Sequence, residues 1–124
     1  MSKFVKVQTQ LRDLNLIKSA LDDLKLNYAE NASFVHSWSG FRGEVPLVVK
    51  VNHAQFGLRA TTTGEYEVIG DDMQMKVIRE ELQQIQQRYA YHAVRQATAQ
   101  AGFDLIEETT GNDQVIRLTV RRWS

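Results

Sequence analysis

Two segments with helical periodicity lie far apart in the chain, and a series of strand-like segments separates them. The first follows Asp13, a residue type suited to capping a helix. Its apolar residues recur at three- and four-residue steps: Leu14, Ile17, Leu21 and Leu24. The second covers roughly Met73–Ala101, begins after the pair Asp71 and Asp72, and ends at Gly102. The pattern predicts two helices that each bury one apolar stripe.

Alternating and β-branched segments predict the strands. They cover Phe4–Gln10, Ala29–Trp38, Val45–Asn52, Phe56–Thr63, Glu65–Ile69, Phe103–Thr109 and Val115–Trp123. Tight turns are expected at residues 63–65 and at residues 111–113. The resulting order, β-α-β-β-β-β-α-β-β, groups the strands in antiparallel runs between the helices. It predicts an α+β fold, a two-layer sandwich in which a mostly antiparallel sheet carries two helices on one face.

The composition is that of an ordinary globular domain. The chain has 124 residues and is 43% hydrophobic, so it can bury a core without disulfides or metals, and we expect a single domain over residues 1–124. The formal net charge is zero, which argues against binding nucleic acid by bulk charge. Residues 1–62 carry eight basic and five acidic side chains (+3), whereas residues 63–124 carry seven and ten (−3). Such polarity can orient two copies or a partner.

The sequence lacks the motifs of common catalytic and cofactor sites. It contains no cysteine, and its histidines, His36, His53 and His92, follow no metal-binding spacing. Phosphate-binding loops, dinucleotide-binding glycine motifs and nucleophile elbows are missing too. We therefore expect no enzyme activity, no cofactor and no metal. The N-terminus has no signal-peptide pattern, and no segment is apolar enough to span a bilayer, so we expect no membrane association.

The last predicted strand carries the strongest candidate for a binding surface. Its alternation places Arg117, Arg121 and Trp123 on one face and apolar residues on the other. Arginines beside an aromatic residue can hold phosphates, stack on bases or anchor a protein partner. The alternative interpretation is an ordinary solvated strand face whose arginines pair with acidic residues across the sheet.

Two further groups of residues are candidates for binding. A predicted loop, residues 40–43, presents Phe41 and Arg42 between two glycines, which let a backbone approach a ligand. The alternative is a simple turn whose Phe41 packs into the core. On the second helix, Arg88, Tyr91 and His92 could hold an anionic ligand. The alternative there is a histidine that is hydrogen-bonded at the boundary of the core.

Several short segments, taken together, resemble a known family. They are the opening Met-Ser-Lys-Phe, Arg12-Asp13-Leu14, Phe41-Arg42-Gly43, Gly64-x-Tyr66-Glu67, Gln87-Arg88-Tyr89-Ala90-Tyr91-His92, Gly102-Phe103, Ile116-Arg117-Leu118 and Arg122-Trp123. In this order and spacing the chain resembles the hypothetical chloroplast open reading frame thirty-five family of cyanobacteria and algal plastids. The resemblance runs nearly end to end and is weakest around residues 44–63.

The resemblance implies a protein of unknown function, located in the cytosol of a cyanobacterium or in the plastid stroma. It implies no reaction, cofactor or catalytic residue, and it suggests an accessory role beside AAA-type ATPases. Three hypotheses follow. The first is a non-catalytic protein-interaction module that binds an unknown protein, for example an AAA-type ATPase or a second copy of itself. The second is a domain that binds single-stranded RNA through the arginine strand. The third is a small anionic-ligand site near His92.

Overall fold

The computed structural model describes residues 2–110 and 116–122, with the side chains of residues 2–102 and of Arg117. The elements are β1 (Phe4–Gln8), α1 (Leu14–Asp23), β2 (Asn27–His36), β3 (Phe41–Val51), β4 (Ala54–Ala60), β5 (Tyr66–Asp71), a short 3-10 helix (Asp72–Gln74), α2 (Met75–Gln100), β6 (Phe103–Thr110) and β7 (Ile116–Arg122). The predicted α+β class and element order are confirmed. The predicted turn at residues 111–113 and the predicted site residue Trp123 lie outside the described residues.

The strands form two separate sheets. Five of them make an antiparallel sheet in the order β1-β5-β4-β3-β2, so the first strand pairs with the fifth. The remaining two, β6 and β7, pair with each other in an antiparallel two-stranded sheet that contacts α2. The sequence pattern identified the last two strands but did not show that they form a sheet separate from the main one.

The larger core lies between the five-stranded sheet and the two helices. Ile17 of α1, Ile78 and Ile85 of α2, and Phe56 and Leu58 of β4 are all fully buried in it. Burying each such side chain stabilises the fold by about 1.5–3 kcal/mol. This packing explains the apolar stripes that predicted the two helices.

The helices begin as the sequence predicts, with one addition. The Asp13 carboxylate accepts hydrogen bonds from the backbone N–H groups of Asn15 and Leu16, which caps α1. The second helix begins with a 3-10 turn that Asp71 caps through the N–H of Met73. All residues of α2 are described, and none after Tyr91 is buried. The last turns of α2 therefore extend beyond the core and lead to β6.

A smaller core lies on the other face of the sheet, where the β2–β3 hairpin bends over. Val45 belongs to this core with Phe34 and Ile69, whereas Leu47, two positions along the same strand, belongs to the larger core. Side chains two apart in a regular strand share a face, so β3 changes the direction of its side chains between these positions. Asn31, which has a positive φ of 48°, lies at this bend in β2.

Candidate functional site

The tip of the bent β2–β3 hairpin exposes a tryptophan. Residues 37–40 form the turn, and the side chain of Trp38 is 72% exposed. Val35 and Arg42 are exposed beside it and lie opposite each other in the register of the hairpin. We call these three residues, Val35, Trp38 and Arg42, the hairpin-tip surface.

A buried histidine holds this turn in place. His36 is only 5% exposed, and its Nε2 lies 2.9 Å from Oδ2 of Asp71, at the end of β5. Its Nδ1 lies 2.7 Å from the Ser39 hydroxyl and accepts the backbone N–H of Ser39 at 3.2 Å. Because Nδ1 accepts from a backbone N–H, the imidazole hydrogen must sit on Nε2 and point to Asp71. The imidazole thus connects the turn to the main sheet.

The Asp71 carboxylate is stabilised in its charged form. Burial raises its pKa, but hydrogen bonds from the backbone of Met73 and from the side chains of His36 and Ser2 outweigh this effect. The net result is a pKa below the ordinary value of 3.8. Asp71 is therefore an anion at neutral pH, when it accepts from both the helix and the hairpin.

Serine, histidine and aspartate in a hydrogen-bonded series also occur in hydrolases, where the serine attacks the substrate. Here Ser39 Oγ accepts the backbone N–H of Phe41, and the imidazole accepts the backbone N–H of Ser39 itself. A hollow of about 180 Å³ lies next to the series and is lined by His36, Trp38 and Asp71, but Ser39 is not among its lining residues. These hydrogen bonds fix the turn, and the serine does not face the hollow.

Phe41 and Arg42 lie at the start of β3. The predicted loop at residues 40–43 was wrong: the turn ends at Gly40, which has a φ of 78°, and Phe41 pairs with His36 as the first residue of the strand. The Phe41 ring has two close neighbours. It stacks on Phe4 at 4.6 Å between ring centroids, and the guanidinium of Arg59 lies 5.4 Å from its centre. Arg42 points to solvent.

The predicted arginine stripe lies on the other sheet. Arg117 is exposed on β7, and Arg121 occupies the position opposite Asp104 in the β6–β7 register. Trp123 lies outside the described residues. The structure therefore places Phe41 and Arg42 on the five-stranded sheet, whereas Arg117 and Arg121 lie on the two-stranded sheet.

The structure brings Arg88, Tyr91 and His92 together and adds Asp23, which sequence reasoning missed. Oδ2 of Asp23, at the end of α1, lies 3.0 Å from the Arg88 guanidinium and 2.6 Å from Nε2 of His92. Arg88 also lies over the Tyr91 ring at 4.4 Å. An anionic group is thus already present where a ligand's charge would bind, and it comes from the protein itself.

These contacts alter the acidity of Asp23. Burial raises its pKa, but the hydrogen bonds and positive charges of His92 and Arg88 outweigh burial and lower it below 3.8. The four side chains connect α1 to α2. Their geometry supports a role in packing the helices together.

Among the described residues, no cluster of three or more histidine and acidic side chains could hold a metal ion. Within residues 2–110 and 116–122, neither helix has the length and apolar character that crossing a bilayer requires.

Sequence reasoning overlooked Trp38, His36 and Asp71 as parts of one site. The available signal was the segment Ser-Trp-Ser-Gly at residues 37–40, in which a large aromatic stands among typical turn residues.

The chain has relatives along its whole length. It is 29% identical over 130 residues to the uncharacterized protein ycf35 of Pyropia yezoensis, covering 100% of this chain and 99% of the relative. Its identity to the proteins of the same name is 28% in Guillardia theta and 30% in Cyanophora paradoxa, in both cases covering 99% of this chain and 98% of the relative. No solved structure matches it.

The names of these relatives denote chloroplast reading frames, which confirms the resemblance to the thirty-five family. A family model described as "Protein of unknown function (DUF1257)" matches residues 20–119, which is most of the chain. The protein therefore belongs to the DUF1257 family, whose function is unknown.

Proposed function

We propose that this protein is a non-catalytic interaction module that binds a protein partner through the hairpin-tip surface of Val35, Trp38 and Arg42. The supporting observation is the 72% exposure of Trp38 on a turn that a buried histidine braces. A large aromatic residue exposed in this way gains free energy when a partner removes it from water. The place of action that we propose is the plastid stroma or the cytosol of a cyanobacterium.

The composition of the surface favours a protein as the partner. Tryptophan and arginine are the residue types that most often contribute the largest share of the binding free energy at protein interfaces. The hydrogen bonds of His36 to Ser39 and Asp71 hold the turn in one conformation before binding. Less conformational entropy is then lost when the partner docks. The family resemblance makes an AAA-type ATPase the first partner to test.

The test compares variants of the surface in capture from photosynthetic cells. We expect Trp38→Ala to weaken the captured complex about 30-fold or more, because truncating a central interface residue costs about 2 kcal/mol or more. Arg42→Ala should weaken it less, and Arg79→Ala, which removes an exposed arginine of α2, should have no effect. Circular dichroism should be the same for all three variants. Undiminished binding by Trp38→Ala would rule out this surface.

The same experiment separates the two macromolecular hypotheses. Samples are prepared with and without nuclease, and the partner is identified by mass spectrometry. A protein partner that survives nuclease treatment and depends on Trp38 supports the proposal. Co-purifying RNA that is lost on nuclease treatment, with no Trp38-dependent protein, would instead favour the arginine-rich strand β7.

A further inference from the structure

At one edge of the five-stranded sheet, some backbone groups face no partner strand among the described residues. β1 is the end strand, and the hydrogen bonds from Thr9 N to Tyr66 O and from Asp72 N to Lys3 O fix its orientation. In an antiparallel pair, alternate residues bond to the neighbouring strand. The N–H and C=O groups at positions 4, 6 and 8 therefore point away from β5. Within the part of the chain that the structure describes, no strand pairs with them.

A groove of about 810 Å³ adjoins this edge, between the end of β1 and helix α2. Gln8 lines it on the strand side, and Ala90, Ala93 and Val94 line it on the helix side. The small alanines leave room for the side chains of another strand, and Val94 is 42% exposed there. A free strand edge beside a helix-lined groove is the arrangement in which an added strand gains both backbone hydrogen bonds and pockets for its side chains.

The chain itself contains two strands that belong, within the described residues, to a small sheet of their own. β6 and β7 pair only with each other among the described strands, and an isolated two-stranded sheet is marginally stable in water. β6 has three acidic residues in its sequence: Asp104, Glu107 and Glu108. The regular pairing of β6 with β7 resumes at Glu107, after a shift in register.

The charges of the two strand edges are opposite. Lys3, just before β1, and Lys6 within it are exposed, and neither forms an ion pair with a described residue. β1 is basic, like the first half of the chain, and β6 is acidic, like the second half. Opposite charges on neighbouring strands stabilise their pairing.

We propose that two copies of this chain associate by adding β6 of each copy to the free edge of β1 in the other. The contact is two-fold symmetric, so each copy gives one strand and receives one. It joins the five-stranded sheet of one copy to the two-stranded sheet of the other, and it places the acidic strand beside the lysines. This assembly goes beyond the proposed function and uses residues other than the hairpin-tip surface.

The first test measures the molar mass of the full chain by light scattering after gel filtration. We expect twice the 14.2 kDa of one chain at low salt. Lys6→Pro removes an N–H that points away from β5, so it should block the added strand while leaving the β1–β5 hydrogen bonds intact. We expect this variant to raise the dimer dissociation constant about tenfold or more. Lys6→Ala keeps the N–H and should have a smaller effect.

The second test reverses charges and does not depend on how well the proline variant folds. The Lys3→Glu/Lys6→Glu variant and the Glu107→Lys/Glu108→Lys variant should each be monomeric. An equimolar mixture of the two should recover a heterodimer, because both of its contacts pair opposite charges, one as in the wild type and one with both charges reversed. Trp38→Ala should stay dimeric, which separates this inference from the proposed function. A wild-type monomer at all concentrations, or a dimer that neither charge reversal weakens, would overturn the inference.

Discussion

Asp71 connects three parts of the molecule through a single carboxylate. It is the last residue of β5, it caps the turn that leads into α2, and it accepts from His36 in the hairpin. Its side chain is 18% exposed, so these hydrogen bonds are largely shielded from water. Changes at this position should therefore affect the sheet, the helix start and the hairpin tip together.

We expect Asp71→Asn to lower the free energy of unfolding at neutral pH by about 1–3 kcal/mol, because the amide cannot accept from both donors as the carboxylate does. Since folding lowers the pKa of Asp71, its charged form adds stability above the unfolded pKa of about 4. That contribution is lost as the pH falls through the folded pKa. The difference in free energy of unfolding between the wild type and Asp71→Asn should thus shrink below about pH 4. Chemical denaturation at several pH values measures it.

Glu80→Gln serves as the control, because Glu80 is exposed on α2. It should leave both the stability at neutral pH and its acid dependence close to those of the wild type. If the difference between Asp71→Asn and the wild type stayed constant down to strongly acidic pH, the charged hydrogen bonds of Asp71 would not be the cause.

At the scale of elements, the bend in the β2–β3 hairpin decides where the binding surface lies. The bend places Phe34 and Val45 on the face of the sheet opposite the helices, where they pack with Ile69 in the smaller core. Asn31 lies at the bend with a φ of 48°, a conformation that asparagine tolerates and β-branched residues disfavour. The position of Trp38 thus depends on a backbone conformation seven residues before it.

We expect Asn31→Val to lower the free energy of unfolding by about 1–2 kcal/mol, because valine is strained at a positive φ. Asn31→Gly should be tolerated, since glycine adopts this conformation without a side-chain clash. Ser33→Val is the matched control: it adds the same side chain at an exposed position of the same strand that has an ordinary φ. Thermal unfolding compares the stability of the three variants with that of the wild type. Equal stability of Asn31→Val and the wild type would show that valine is not strained at this position.

The elements that the sequence predicts well are those whose signals are local. The Asp13 cap and the leucine stripe after it identify α1, and Gly102, with a φ of 84°, marks the end of α2. The site depends on contacts between distant residues: His36 and Asp71 are 35 positions apart, and Asp23 and His92 are 69 apart. Periodicity reports which face of an element is apolar but not which element covers it, so the hairpin bend and the Asp23 contacts had no signal in the sequence.

At the scale of the whole molecule, burial divides α2 into two parts. Ile78, Leu82 and Ile85 are buried in the larger core and Tyr91 is buried outside it, whereas residues 94–97 are exposed. Local opening needs less free energy where few side chains are buried. We expect the amides of residues 94–100 to exchange with deuterium faster than those of residues 78–91, as measured by mass spectrometry of peptic peptides. Equal protection along the helix would contradict this division.

The part of α2 that follows its last buried residue also has a geometric consequence. Residues 92–100 continue the helix for about 14 Å after its last buried side chain, and β6 follows directly. Each residue inserted or deleted in this stretch would rotate everything that follows by about 100° around the helix axis. The number of residues therefore sets an angle as well as a distance. Changing the length of this stretch should therefore displace β6 far more than exchanging its side chains.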